Sequence, residues 1–262
     1  MHIVLVRGTG DIGSAVAHVL RSAGHTVLLH DTPCPSHPRR GMAFVDALYE
    51  GTTALEGVLA KRARSLTELQ YMAQCGRAVP VTDTEFQEIV ERMRPDIVVD
   101  ARMRKPATPE PQRGLARLTI GLGPNFEAGK NVDAAIETDW GQELGAVLWS
   151  GRTRDLAGEP QQIAGHARDR YVYAPLEGVF ATPLNVGRMV KQGQETARIG
   201  EMPLYAPLRG CLRGLTHHGA WVARGTKVIE VDPRGAAQAA YGLGERARAI
   251  AEGVLKAVRS AA

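Results

Sequence analysis

The chain has 262 residues, 44% hydrophobic and 23% charged, with a formal net charge of +4. That balance excludes a disordered chain, scattered Lys and Arg exclude a nucleic-acid stripe, and no apolar run nears the roughly 20 residues of a membrane span. Cys34, Cys75 and Cys211 lack CxxC spacing, which suits a reducing compartment and argues against a thiolate zinc site.

In chain order, Ile3-Val4-Leu5-Val6 reads as a strand. No signal-peptide pattern precedes it, so a cytoplasmic location is expected. Residues 11–23 read as a helix with Ile12, Val16, Val19 and Leu20 on one face, ended by Gly24. Residues 26–29 read as a second strand closed by Asp31. Pro33, Pro35 and Pro38 then enforce a loop. A short helix over 42–49 and a strand over 55–60 follow. Ser65 with Glu68 forms a capping box opening a helix that stops near Gly76. Thr82 with Glu85 forms a second box, opening a helix that ends before Pro95. Strands are expected at 79–81, 97–99, 118–120, 132–136 and 146–149. Strands alternating with helices predict an α/β fold with a mostly parallel sheet. The proline-rich, basic segment 101–117 reads as a long loop of the functional kind.

Gly8-Thr9-Gly10-Asp11-Ile12-Gly13 is a GxGxxG placed between a strand and an amphipathic helix, with Asp31 ending the next strand. That context predicts a Rossmann-like sheet and an anion site at the helix N-terminus. Asp11 at the helix start opposes a pyrophosphate. Arg7 is placed to compensate, or else to neutralise Asp11 as a pair. Asp100, with Arg102 and Lys105 beyond it, follows one strand. Gly121, Gly123 and Asn125 follow another and offer a second close backbone approach. Arg39 and Arg40 open a helix, where a cation is unfavourable unless it serves a ligand. The expected ligand-contacting set is therefore Arg7, Gly8, Thr9, Gly10, Asp11, Gly13, Asp31, Arg39, Arg40, Asp100, Lys105, Gly121, Gly123 and Asn125. Glu137 reads as a polar site group or a surface carboxylate. His217-His218 reads as an exposed turn and not a metal site. No nucleophile–base pair is recognisable, so no catalytic residue is assigned.

Past a junction at 151–165 the texture becomes β-rich. Ala174-Pro175-Leu176-x-Gly178 recurs 32 residues later as Ala206-Pro207-Leu208-x-Gly210. Gly187, Val190 and Gly193 recur as Gly219, Val222 and Gly225, each copy leading into a strand (196–199 and 227–231). The pattern resembles the barrel-sandwich hybrid of biotinyl and lipoyl domains. Its hairpin, Gly200-Glu201-Met202-Pro203-Leu204, has no lysine, so architecture without carrier function is expected. A helix over 244–258 presents Ala247, Ile250, Val254 and Leu255. The expected division is a Rossmann-like ligand-binding domain at 1–160, a barrel-sandwich-hybrid-like domain at 161–235, and a C-terminal helix segment at 236–262.

Several segments together resemble YqeB-type proteins. They are Val6-Arg7-Gly8-x-Gly10-Asp11-Ile12, Arg39-Arg40 with Phe44, Tyr49-Glu50-Gly51, Glu56-Gly57-Val58, Val98-Val99-Asp100-Ala101, Ile120-Gly121-Leu122-Gly123-Pro124-Asn125-Phe126, Leu212-Arg213-Gly214-Leu215 and Val231-Asp232-Pro233-Arg234. These are accessory proteins of the selenium-dependent molybdenum hydroxylase system, whose enzymes are xanthine-dehydrogenase-like. The resemblance implies a maturation factor that handles a molybdopterin-type cofactor or nucleotide for a molybdenum hydroxylase client. After Ile136-Glu137-Thr138 the chain reads Asp139-Trp140-Gly141-Gln142, where the family has an Arg-Gly-His-like stretch. Two other readings stay open. One is an NAD(P)-dependent oxidoreductase with Asp31 on the ribose hydroxyls. The other is a non-enzymatic interaction module. No nucleic-acid or membrane partner is expected, and a homo-oligomer is compatible.

Overall fold

Val4, Leu5 and Val6 are apolar on both faces of the chain, as a strand covered on both sides requires. The computed structural model describes residues 1–104, 108–155 and 160–261. In it these residues form β1 (Ile3–Arg7), followed by α1 (Asp11–Ser22) and β2 (Thr26–His30). The crossover to the next sheet strand carries α2 (Ala47–Glu50), a hairpin of β3 (Thr52–Leu55) and β4 (Val58–Arg62), and α3 (Leu66–Cys75). β5 (Val79–Thr82), α4 (Phe86–Met93), β6 (Ile97–Asp100), β7 (Leu118–Leu122), β8 (Glu127–Ala128), β9 (Ala134–Ile136), β10 (Val147–Leu148) and β11 (Gly151–Arg152) complete this half.

The main sheet runs β10-β9-β7-β6-β1-β2-β5-β4-β3. Its strands from β4 to β9 pair in parallel, and only edge strands β3 and β10 are antiparallel. The order β5-β2-β1-β6-β7-β9 is the doubly wound 3-2-1-4-5-6 pattern, whose topological switch lies between β1 and β6. Strand alternation splits the core. Val4, Val6, Val27, Leu29, Ile97 and Val99 face α1, whereas Leu5, Leu28 and Val98 face Leu69 of α3 and Ile89 of α4.

Three local expectations are corrected. The strand expected at 55–60 is a hairpin, because Glu56 and Gly57 both take positive φ and make a two-residue turn. The helix expected at 42–49 is a 3-10 turn (Arg40–Met42) followed by the single turn of α2. The capping box at Thr82 is absent. Thr82 is a buried β5 residue bonded to Thr84, and Glu85 precedes α4 without capping it. The Ser65 box stands, with the Glu68 amide donating to Ser65 Oγ at 3.2 Å.

The β-rich half comprises β12 (Tyr171–Tyr173), β13 (Gly178–Ala181), β14 (Met189–Val190), β15 (Glu195–Ile199), β16 (Met202–Tyr205), β17 (Gly210–Leu215), β18 (Trp221–Val222) and β19 (Lys227–Asp232). They form two antiparallel four-stranded sheets, β12-β19-β17-β14 and β16-β15-β13-β18. An offset of 32 residues converts one sheet into the other. Equivalent hydrogen bonds follow the same rule. The Gly187 amide donates to Leu212 O and Gly219 to Phe180 O, both at 2.8 Å, while Gly193 donates to Ala206 O and Gly225 to Ala174 O. Phe180, Ile199, Leu212, Leu215 and Ile229 from both sheets share one core.

The last helix is α5 (Glu245–Ser260). It returns to the first half, where Ile250, Ala251 and Val254 share a core with Val16, Val19 and Leu20 of α1. The loop after β2 ties the halves from the other end, as Pro38 O accepts from the Leu215 amide at 2.7 Å.

Candidate functional site: a cationic cleft between the halves

The glycine loop is built by close approaches. Gly8 has φ +108°, and a Cβ there would lie 2.8 Å from Ala101 O. A Cβ on Gly13 would lie 1.9 Å from Gly8 O, so the third glycine lets α1 sit on β1. A Cβ on Gly10 would lie 3.2 Å from His37 Nδ1, because the chain's own imidazole covers this position. Gly10 is the N-cap of α1, and no side chain caps the helix.

Asp31 is already engaged. Its Oδ2 accepts from the Thr9 amide at 2.6 Å, Thr9 Oγ1 at 2.7 Å and His37 Nε2 at 3.0 Å. Burial opposes its ionisation, but the bonds from His37 and Thr9 hold it well below the usual carboxylate range. An ionised Asp31 makes His37 the donor in their bond. The expectation of a ribose-binding Asp31 therefore meets a carboxylate whose acceptors are filled by protein, and the expected anion-gripping amide of Thr9 is likewise occupied.

Other expected residues disperse. Arg7 does not pair with Asp11. Its guanidinium lies 3.8 Å from the Phe86 ring centroid, donates to Glu110 at 3.0 Å and stands 3.9 Å from Asp100. Asp100 is held by Arg102 and Gln112. Arg40 donates to Asp46, the N-cap of α2, at 2.7 Å. The approach expected at Gly121 is filled by the Phe126 ring, which a Cβ would meet at 2.1 Å. Gly123 and Asn125 take positive φ in the same turn, with Asn125 bonded by Arg152 and Asn131. Lys105 lies outside the described residues. Glu137 is neither a surface carboxylate nor an open site group. It is buried and accepts from the amides of Thr138, Asp139 and Arg154. His217 stacks on Tyr49 with ring centroids 3.9 Å apart.

Gly10, Asp11 and Arg39 do converge, at a cleft of about 820 Å³ between the halves. Its walls come from the start of α1, the loop at 37–42, the segments at 103, 139–140 and 160–170, strands β12, β17 and β19 with Arg234 just beyond, and the start of α5. Among the described residues it is lined by seven cations, Arg39, Arg168, Arg170, Arg213, Lys227, Arg234 and Arg246, against the carboxylates of Asp11, Asp139 and Glu245.

Behind the wall lies Glu230, with 0% of its surface exposed. It accepts from Arg39 Nε at 2.9 Å, Arg39 Nη2 at 3.1 Å, Arg170 Nη1 at 2.7 Å and Lys227 Nζ at 2.8 Å, and Arg213 stands 3.6 Å away. Burial disfavours its charge, yet Arg39 and Lys227 outweigh burial and hold it ionised. Arg39 also donates to Asp11 at 2.8 Å, so one guanidinium joins α1 to β19. Lys227 is pushed down to about 8 by burial and by Arg39. Burial, and Arg39 beside it, lower Arg213 as well. Burial first, and repulsion from Arg39 second, thus disfavour the charged forms of Lys227 and Arg213, whereas Glu230 and Asp11 hold Arg39 charged.

Sequence reading missed His37, Arg170, Arg213, Lys227, Glu230 and Arg246. The available signal was Glu230 itself, a charge within the apolar strand Lys227-Val228-Ile229-Glu230-Val231, since buried carboxylates are rarely left unpaired.

Fold and cleft together define an α/β protein whose polar space lies between a doubly wound sheet and a β-rich module. No protein-family model matches the chain. A curated protein of Escherichia coli (strain K12), "Uncharacterized protein YqeB", is 37% identical over 256 residues, covering 98% of this chain and 47% of that protein. The chain is thus similar to that protein over nearly all of its own length and spans about half the length of that relative. Among solved structures, an aspartoacylase family protein from Mesorhizobium loti is 14% identical, covers 87% of this chain and 84% of its own, and superposes with a TM-score of 0.27. The product-bound ectoine utilization protein EutE (DoeB) from Ruegeria pomeroyi is 19% identical over 32% of this chain and 27% of its own, with a TM-score of 0.23. No helix among the described residues is long and apolar enough to cross a membrane.

Proposed function

We propose that this protein binds a phosphate-bearing small molecule in the cationic cleft and acts as an accessory factor of a molybdenum hydroxylase. One observation carries the binding half: among the described residues, six lining cations, Arg39, Arg170, Arg213, Lys227, Arg234 and Arg246, outnumber the five carboxylates that line and back the cleft, Asp11, Asp139, Glu245, Glu230 and Asp232. Glu230 and Asp232 absorb part of that charge, and an anionic occupant balances the rest. The volume lies within the usual range of small-molecule sites, about 300–1,000 Å³. The uncapped start of α1 and the start of α5, whose N-cap Gly244 also lacks a side-chain cap, add favourable dipoles.

The accessory role rests on the family resemblance. A molybdopterin-type cofactor would supply the metal-carrying pterin and an anionic phosphate end. The cleft's cations fit such an end, and Arg39, Arg213, Lys227 and Arg246 are the residues that would hold it. We read the two-sheet unit as a barrel-sandwich-hybrid-like module over 161–235, available for docking a client. The oxidoreductase reading gains nothing from Asp31, whose acceptors are taken by Thr9 and His37.

The test is equilibrium binding to the whole chain of ADP-ribose, molybdopterin (read by pterin fluorescence) and NADPH. The expected result is binding of the pyrophosphate and pterin probes, weakened by salt and by Arg246→Ala. Failure of every phosphate-bearing probe at millimolar concentration overturns the proposal. Tight NADPH binding without pterin binding replaces it with the oxidoreductase reading.

A further inference from the structure

His37 belongs to no motif, yet it lines the cleft at the start of α1. It sits in the proline-rich loop after β2, with its ring against Gly10 at the N-terminus of α1. Nε2 is committed to Asp31 at 3.0 Å. Asp31 is fixed in turn by the Thr9 amide, the Thr9 hydroxyl and the Thr32 amide. The other nitrogen, Nδ1, lies on the Gly10 side, and His37 lines the cleft beside Asp11 and Arg39.

The charged groups facing this imidazole are few. Asp31 at the end of β2 and Asp11 of α1 act on it, while Arg39 of its own loop and Lys227 of β19 line the same cleft. Arg39 is paired with Asp11 and Glu230, and Lys227 with Glu230. Burial lowers the proton affinity of His37, but Asp31, by hydrogen bond and charge, and Asp11 raise it above the ordinary histidine value. A doubly protonated ring at this spot points a second N–H toward the start of a helix, where a cation is unfavourable. An anion placed there satisfies both.

We propose that His37 is a ligand-contacting residue of the cleft: with Nε2 anchored on Asp31, its Nδ1–H donates to a phosphate oxygen of the occupant at the start of α1. Asp31 is the positioning residue that selects this ring orientation. Tight binding therefore requires the imidazolium, and the site favours phosphate-bearing ligands at neutral to mildly acidic pH. This inference rests on the anion-binding reading of the cleft.

The probe is ADP-ribose, whose pyrophosphate diester keeps a constant charge between about pH 5.5 and about pH 8.5, the range in which histidine titrates. Its affinity for the whole chain is expected to fall about tenfold or more across that range, the scale of one charge-assisted hydrogen bond. His37→Gln keeps an amide for Asp31 but cannot titrate, and its profile is expected to lose the histidine step and keep, at the weaker level, only the alkaline-end fall that Lys227, pushed down to about 8, contributes. Asp31→Asn is expected to move the wild-type midpoint to lower pH. A titration of His37 followed by NMR, with and without ADP-ribose, reads the same contact directly, and the midpoint should rise on binding. A pH-independent wild type overturns the proposal, as does a His37→Gln profile equal to wild type or an unmoved His37 midpoint with ligand bound. Absence of ADP-ribose binding at every pH overturns the anion-binding reading itself, which separates the two failures.

Discussion

At the scale of single residues, Glu230 is the junction of the molecule. Three cations donate to a carboxylate with no exposed surface. Removing one partner of such a buried set leaves the others uncompensated, which costs about 3–5 kcal/mol. Glu230→Gln is accordingly expected to lower the unfolding free energy read from chemical denaturation by that amount. Arg213 is the reverse case. Its nearest carboxylate is already saturated and Arg39 repels it. Arg213→Gln should leave stability unchanged or raise it by about 0.5–1 kcal/mol, while weakening ADP-ribose binding. The His37–Asp31 pair predicts a pH signature. His37 has a raised folded value, so its contribution is complete below 6.5 and is lost as pH rises through that raised value. Asp31 has a depressed folded value, so its contribution is complete above 3.8 and is lost as pH falls through the lower one. The Tm difference between wild type and His37→Gln should therefore be largest between those two ordinary values and shrink on the alkaline side.

At the scale of elements, α1 is held from both ends. Its start rests on β1 through Gly13, where a Cβ would strike the Gly8 carbonyl backbone. Gly13→Ala cannot be relieved by a side-chain rotation and is expected to cost about 3 kcal/mol or more, read as a fall in denaturant midpoint. Its apolar face is covered by α5, a helix 223 residues further along when counted from Ser22 to Glu245. The two helix starts flank the cleft, so the packing of Val16 and Val19 against Ile250 and Val254 also fixes the distance between the dipoles facing a ligand. The capping box at Ser65 is by contrast local, and Ser65→Ala should cost only about 0.5–2 kcal/mol.

At the scale of the whole molecule, the two halves are interlocked in sequence. The chain builds the parallel sheet, then the symmetric pair of β sheets, then returns to the first half with α5. A chain ending after β19 would leave the α1 face of Ala15, Val16 and Val19 open. Such a truncation is expected to lose the near-UV circular dichroism signal and to bind a hydrophobic dye, because the first half cannot complete its core alone. Arg39 and Pro38 make the second link, so a disturbance of the loop after β2 should reach β17 and β19.

The local sequence by itself determined the parallel strands β1, β2, β5, β6 and β7, α1, the glycine turn and the 32-residue repeat. Those depend on short-range periodicity and on backbone positions that only glycine fits, and both are written in neighbouring residues. It misplaced the Thr82 box and the strand at 55–60, where packing and a two-residue turn overrode a plausible pattern. Which charges meet was decided only in three dimensions. Arg7 and Asp11 are four residues apart yet point to opposite sides of the sheet, whereas Arg39 and Glu230 are 191 apart and bonded. Electrostatic partners follow distance through folded space, and the return of α5 and the crossing of the β2 loop set that distance.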